Sequence, residues 1–129
     1  MPLASPSSNH SLHGRRIVLG ITGSIAAYKS ADLARELKRR GAEVRVLMTP
    51  GATEFITPLT LATLVDNPVH SDFTEDVHAG IWTNHVELGI WGDLILIAPA
   101  TANTLAAMVH GQCDNLLQAV LLSARCPVV

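Results

Sequence analysis

Unbroken apolar runs alternate with stretches of helical rhythm along this chain, and that alternation predicts most of the architecture. "RRIVLGIT" is short, apolar and rich in β-branched residues, the mark of a buried strand, here ending at Gly20 to Gly23. From Ile25 to Arg40 the period becomes helical. Ala27, Ala31, Ala34 and Leu37 fall on one face, with Lys29, Asp32, Arg35, Glu36 and Arg39 largely on the others. Lys38, Arg39 and Arg40 crowd the negative end of the helix dipole, and Gly41 supplies a residue able to turn left-handed and close it. "AEVRVLMT" then predicts a second strand, parallel to the first because a helical crossover separates them.

The same grammar continues. Pro50 and Gly51 break the second strand and a short "ATEF" turn follows. "TPLTLATLV" predicts a helix with Thr57 as cap and Pro58 in its first turn, stopped by Asn67 and Pro68. "PVHSDF" suggests a short strand, and Thr74 to Thr83 an irregular loop. "NHVELGIWGDLILIAPATANTLAAMVHG" gives a helix, the strand "LILIA", a polar turn and a helix closed by Gly111. Asp114 is placed to cap "NLLQAVLLSA", and "CPVV" has the composition of a strand at its start. The expectation is an α/β fold with a doubly wound parallel sheet of four or five strands and no internal repeat.

Composition narrows the function classes. At 129 residues the chain has room for one domain, and a net charge of −2 with no concentrated basic face argues against nucleic acid as a partner. Hydrophobic residues make up 48% of the chain, yet no run approaches the ~18 apolar residues of a membrane span, so core or subunit interface is the expected use and no membrane partner is indicated. Residues 1–14 read as a disordered tail rather than a targeting signal, and His10 and His13 within it as solvated side chains rather than metal ligands. Cys113 and Cys126 show neither zinc nor redox spacing. No metal site is expected, and the cysteine usage points to a reducing, cytoplasmic setting.

In doubly wound sheets, ligands bind beyond the carboxyl ends of the strands. Thr22-Gly23-Ser24-Ile25 combines a glycine that admits close backbone approach, a hydroxyl, and amides at a helix entrance, which suit a phosphate. A dinucleotide fingerprint and a Walker A loop are both absent: Gly20 and Gly23 stand alone, and no Gly-Lys-Ser/Thr follows. Where a dinucleotide site would place an acidic residue for the ribose, this chain has Met48, Thr49 and Pro50. A tight turn with a capping serine and no ligand is the alternative for this loop.

"APATANT", Ala98 to Thr104, consists mostly of small residues and hydroxyls whose backbone could hydrogen-bond a flat heterocycle; it equally fits a helix start capped by Thr101 or Asn103. In "TNHVELG", Asn84 and Glu87 are spaced as a capping pair with His85 in the first turn. The positive helix end disfavours an imidazolium there, leaving a neutral ring able to act as a general base, unless it is a first-turn histidine without chemistry.

"GITGSIAAYKSADLARELKRRGAEVRVLMTPGATEFITPLT", "NHVELGIWGDLILIAPATANTLA" and "HGQCDNLL" together resemble the flavin-containing cysteine decarboxylase family, and within it the phosphopantothenoylcysteine decarboxylases of coenzyme A biosynthesis. The likeness runs from Arg15 to Val129, in order and spacing. It implies a flavodoxin-like (Rossmann-type) three-layer fold, FMN as cofactor, and a homotrimer assembling further to a homododecamer with FMN between subunits. It implies that Gly23, Ser24 and Ile25 cradle the FMN phosphate with Thr49, near Phe55, that Ala100, Thr101, Ala102 and Asn103 hold the isoalloxazine ring, and that His85 is the active-site histidine. In the family's chemistry the cysteinyl end of 4′-phosphopantothenoylcysteine is oxidised to a thioaldehyde, loses carbon dioxide, and is reduced again by reduced FMN, giving 4′-phosphopantetheine.

The family's Pro-x-Met-Asn segment and clamp cysteine would follow Val129, so residues 15–129 are expected to be an FMN-binding domain truncated at its C-terminal end and impaired in turnover by itself. Related readings are a peptidyl-cysteine decarboxylase, a prenyl-FMN synthase, or a non-catalytic flavin-binding regulatory subunit.

Overall fold

The computed structural model describes residues 11–71, 87–113 and 115–129. Strand β1 is Arg16–Ile21, followed by a 3-10 segment Ile25–Lys29, helix α1 Ser30–Arg39 and strand β2 Glu43–Met48. A second 3-10 segment, Pro50–Glu54, leads to helix α2 Pro58–Val65 and the two-residue strand β3 Val69–His70. Residues 87–91 are helical. Strand β4 Leu94–Ile97, helix α3 Ala102–His110 and helix α4 Leu116–Ser123 complete the described elements.

The sheet is parallel throughout, in the order β3-β2-β1-β4. Val128 bridges Ile95 in the same sense, and hydrogen bonds Ile95 N–H to Pro127 O and Ile97 N–H to Val129 O extend the pairing beyond β4. Among the described residues the sheet therefore has four strands, with a bridge at Val128 beyond β4. The chain builds outward from β1 through β2 to β3, then returns to add β4 on the other side of β1. That reversal puts the switch point, where such sheets open a crevice, between β1 and β4.

Alternation along the strands sends side chains to two separate cores, which makes the three layers. Ile17, Leu19 and Ile21 of β1 join Val44, Val46 and Met48 of β2 against Ala34 and Leu37 of α1 and Leu61 and Val65 of α2. On the opposite face Val18, Leu47, Ile95 and Ile97 meet Leu88, Leu116, Leu117 and Val120. Gly20 also lies on that face: a Cβ there would stand 2.7 Å from Leu117 Cδ1, so this glycine lets α4 approach the sheet rather than serving a ligand. Arg45 stacks its guanidinium 4.4 Å from the Trp91 ring centroid, covering the edge of the second core.

Several boundaries depart from the sequence expectation. The helix expected over Ile25 to Arg40 is two pieces, with regular α-helix beginning only at Ser30. Ser30 is buried and its hydroxyl bonds back to Ala27 O, closing the 3-10 turn locally. Helix α2 ends before Asn67: Asp66 takes the left-handed conformation at φ 56°, while Asn67 Nδ2 donates to Val44 O at 2.9 Å and fastens the helix end to β2. Asn115, one residue beyond the expected Asp114, caps α4 by accepting from Gln118 N–H at 2.9 Å; Asp114 itself lies outside the described residues. Residues 11–14, assigned to the tail in the sequence reading, form a turn in which Leu12 N–H donates to Arg40 O and the Leu12 side chain packs on the first core. The rest of that tail, and the expected loop Thr74 to Thr83, lie outside the described residues.

Candidate functional site

Three loops leave the carboxyl ends of β1, β2 and β4 and meet at the switch point. The first and second touch backbone to backbone. A Cβ on Gly23 would stand 2.8 Å from the carbonyl carbon of Gly51 and 3.0 Å from its Cα, too close for any side chain without displacing main chain. Gly23 is thus required by the opposing loop, a role no reading of its own segment could show.

The first and third loops are joined by hydrogen bonds. Thr22, 1% exposed, donates its hydroxyl to Pro99 O at 2.5 Å and accepts from Thr101 N–H at 3.0 Å. Its backbone N–H also donates to Pro99 O, at 3.3 Å. The peptide between Ala98 and Pro99 is cis. Thr101 caps α3, accepting from Thr104 N–H at 3.2 Å and donating to Thr104 Oγ1 at 3.0 Å. Thr101, not Asn103, is the cap. Its amide and hydroxyl are committed to the protein, which leaves the first-turn amides of Ala102 and Asn103 without intrahelical partners and available to a ligand.

Between these loops lies a cleft of about 280 Å³ lined by Gly23, Thr49, Pro50, Gly51, Thr101, Asn103, Thr104 and Asn115. Of the residues singled out in the sequence, Gly23, Thr49, Thr101 and Asn103 come together on its walls. Ser24, Ile25, Phe55, Ala100 and Ala102 do not line it; Ile25 is 81% exposed and Phe55 caps the end of the second 3-10 segment. His85 lies outside the described residues. Pro50, Gly51, Thr104 and Asn115 were not foreseen as wall residues from the sequence. For Asn115 a signal existed, since asparagine is as good a cap as the neighbouring aspartate.

The division of the expected helix changes the electrostatic argument for an anion at the first loop. A five-residue 3-10 segment, not the start of a long α-helix, follows Ser24. Ser24 Oγ accepts from Ala26 N–H at 3.1 Å, which leaves its hydroxyl proton and the Ile25 amide to bind an oxyanion. The attraction there comes from these individual donors rather than from a summed helix dipole. Among the described residues no carboxylate lines the cleft.

Two other recesses differ in character. Ala26, Lys29, Ser30, Leu33, Ala98 and Pro99 enclose about 230 Å³ behind the third loop. An apolar groove of about 120 Å³ between α3 and α4 includes Met108, Leu121 and Leu122. Among the described residues no group of three or more His, Cys, Asp or Glu side chains is placed to hold a metal, and no helix is long and apolar enough to cross a membrane.

The Flavoprotein family profile matches residues 5–129. The coenzyme A biosynthesis bifunctional protein CoaBC of Vibrio vulnificus (strain YJ016) is 52% identical over 117 residues, 91% of this chain and 29% of that protein. CoaBC of Escherichia coli (strain K12) is 47% identical over 118 residues, 92% of this chain and 29% of its own length. This chain therefore spans less than a third of these curated relatives. Among solved structures, the FMN-dependent cysteine decarboxylase TvaF from thioviridamide biosynthesis superposes with a TM-score of 0.82 at 30% identity, covering 89% of this chain and 70% of that one. A PPC decarboxylase mutant, C175S, complexed with pantothenoylaminoethenethiol gives a TM-score of 0.73 at 30% identity over 88% of this chain and 64% of that one. The likeness carried by the sequence motifs extends to the whole parallel α/β framework, and on a match covering nearly its full length this chain belongs to the Flavoprotein family.

Proposed function

We propose that this chain is the FMN-binding part of an enzyme that decarboxylates 4′-phosphopantothenoylcysteine to 4′-phosphopantetheine. The observation that carries the reading is the convergence of three small-residue loops on one polar cleft at the switch point. Gly23 and Gly51 keep the first two walls free of side chains, so a ligand can approach main-chain amides directly. Thr49, Asn103 and Asn115 bring hydroxyl and amide groups, which suit a phosphate monoester and a polyhydroxylated chain better than a second nucleotide. These donors, with no carboxylate among the described wall residues, fit FMN. Ser24 and Ile25 at the first loop and Ala100, Ala102 and Asn103 at the third are its proposed contacts, with Phe55 beside the second.

Bound FMN would supply the oxidation of the substrate's cysteinyl group and the later return of those electrons. The protein's part is to bind, orient and handle protons. Thr22 and Thr101 fix the third loop before any ligand arrives. His85 is the proposed base, which would take a proton from the substrate as it is oxidised. The exposed apolar side chains Leu105, Met108 and Val109 on α3 and Leu122 on α4 suit a subunit interface, and a homotrimer assembling to a dodecamer is the proposed assembly. The free thiols of Cys113 and Cys126 support a cytoplasmic setting.

A peptide ending in cysteine is the second substrate class, kept open by the likeness to the FMN-dependent cysteine decarboxylase TvaF. The identity of about half to the coenzyme A proteins weighs the other way. Carbon dioxide release by the full-length protein from phosphopantothenoylcysteine, set against a cysteine-terminated peptide, separates the two. His85→Asn should abolish release while FMN stays bound; turnover at the wild-type rate in that variant removes His85 from the reaction. Ser24→Glu should abolish FMN binding without unfolding the chain, and unchanged affinity would show that the first loop is only a turn.

A further inference from the structure

We propose that Thr22 is the positioning residue of the flavin site, setting the third loop in its ligand-ready conformation through one buried hydroxyl. The inference rests on the flavin reading above and adds a residue to it. Thr22 is at the end of β1, and its partners are 77 and 79 positions away in sequence. Its Oγ1 donates to Pro99 O at 2.5 Å and accepts from Thr101 N–H at 3.0 Å, so one oxygen grips the chain on both sides of Ala100. The backbone N–H of Thr22 reinforces the first grip at 3.3 Å. Ala100, between the two grips, is exposed. The bracket therefore decides how Ala100 and the following first-turn amides of Ala102 and Asn103 are presented.

A hydroxyl is required here because only it donates to a carbonyl and accepts from an amide at the same atom. Valine has the same shape and does neither, leaving Thr101 N–H without its partner and Pro99 O with only the longer bond from the Thr22 N–H, beside a residue that is 1% exposed. Serine keeps both bonds. Without the bracket the loop is ordered by the ligand instead of before it, and that ordering cost appears as lost affinity.

The test is an FMN titration of the full chain and its variants, followed by flavin fluorescence and absorbance, with amide exchange at Thr101 measured in ligand-free protein. Thr22→Val should weaken FMN binding about tenfold, as expected for one ordinary hydrogen-bonded pair, shift the flavin absorbance band and speed Thr101 exchange. Thr22→Ser should restore affinity to within about twofold. Thr22→Ala, which admits water to the vacated space, gives a second reading should the valine variant fail to fold. Val65→Ala is the stability control, since Val65 is buried at the end of α2 beside the start of β2, at the amino end of the sheet. It should lower the unfolding midpoint and leave affinity and spectrum unchanged. If Thr22→Val behaves like Val65→Ala, losing stability but binding FMN as the wild type does with the same spectrum, Thr22 is merely structural and the proposal falls alone. If the wild-type chain binds no FMN, the flavin reading falls and takes the proposal with it.

Discussion

The loop after β1 and the loop after β4 face each other across the switch point, yet they are held by different physics. The first is held by absence: Gly23 lies so near the Gly51 backbone that nothing larger than hydrogen fits. The third is held by presence: a threonine hydroxyl, a carbonyl and an amide meet at ordinary hydrogen-bond distances. A contact made by excluded volume is unforgiving of added atoms, whereas one made by hydrogen bonds is unforgiving of lost ones. The two walls of the cleft should therefore fail under opposite kinds of substitution.

The largest effect should come from adding atoms to the first wall. Gly23→Val forces the loops after β1 and β2 apart, costs about 1–3 kcal/mol of stability by overpacking, and should reduce FMN affinity by roughly a hundredfold or more. Thermal unfolding together with flavin fluorescence measures both, and an affinity within a few-fold of wild type would break the comparison. Removing atoms from the third wall should do less. Thr101→Ala deletes the α3 cap, costs about 1 kcal/mol and weakens FMN binding a few-fold, because Thr22 still holds the Thr101 amide.

Gly20→Ala sharpens the contrast between two glycines of the same segment. Its new methyl meets the flexible end of Leu117 on the other side of the sheet, so stability should fall by about 1 kcal/mol while FMN affinity stays as it was. A parallel fall in affinity would mean that α4 packing reaches the site. Smallest of all, Glu36→Gln removes exposed ion pairs with Arg39 and Arg40 and should change stability by less than about 0.5 kcal/mol, read from the same unfolding curves, with no effect on the flavin.

What the sequence made legible was whatever depends on local pattern. Strands β1, β2 and β4 announce themselves as apolar runs, Thr57 and Thr101 as caps, and Gly111 as a left-handed helix end at φ 66°. The break at Ser30 was invisible because Ala27, Ala31, Ala34 and Leu37 keep an apolar face through both pieces, and a short 3-10 stretch is tolerated within that rhythm. The choice between Asp114 and Asn115 as cap turns on one residue of register, which cap preference alone does not fix. Gly51 and Thr22 were hidden for a deeper reason. Gly51 matters only because Gly23 lies against it, and Thr22 only because Pro99 and Thr101 return to it from far along the chain. A site built from loops of different strands is written in pairs of residues, and each member alone looks like a turn.

The central claim is that the cleft at the switch point is where a flavin binds. An FMN titration of the full chain followed by backbone amide chemical shifts tests it most directly, because every wall of the cleft and of its rival groove carries its own reporter. The account predicts saturable shifts concentrated at Gly23, Ser24, Gly51, Ala102, Asn103 and Asn115, with Met108, Gln112 and Leu121 of the groove between α3 and α4 unmoved. Saturable shifts confined to that groove, or none at any FMN concentration, would contradict it.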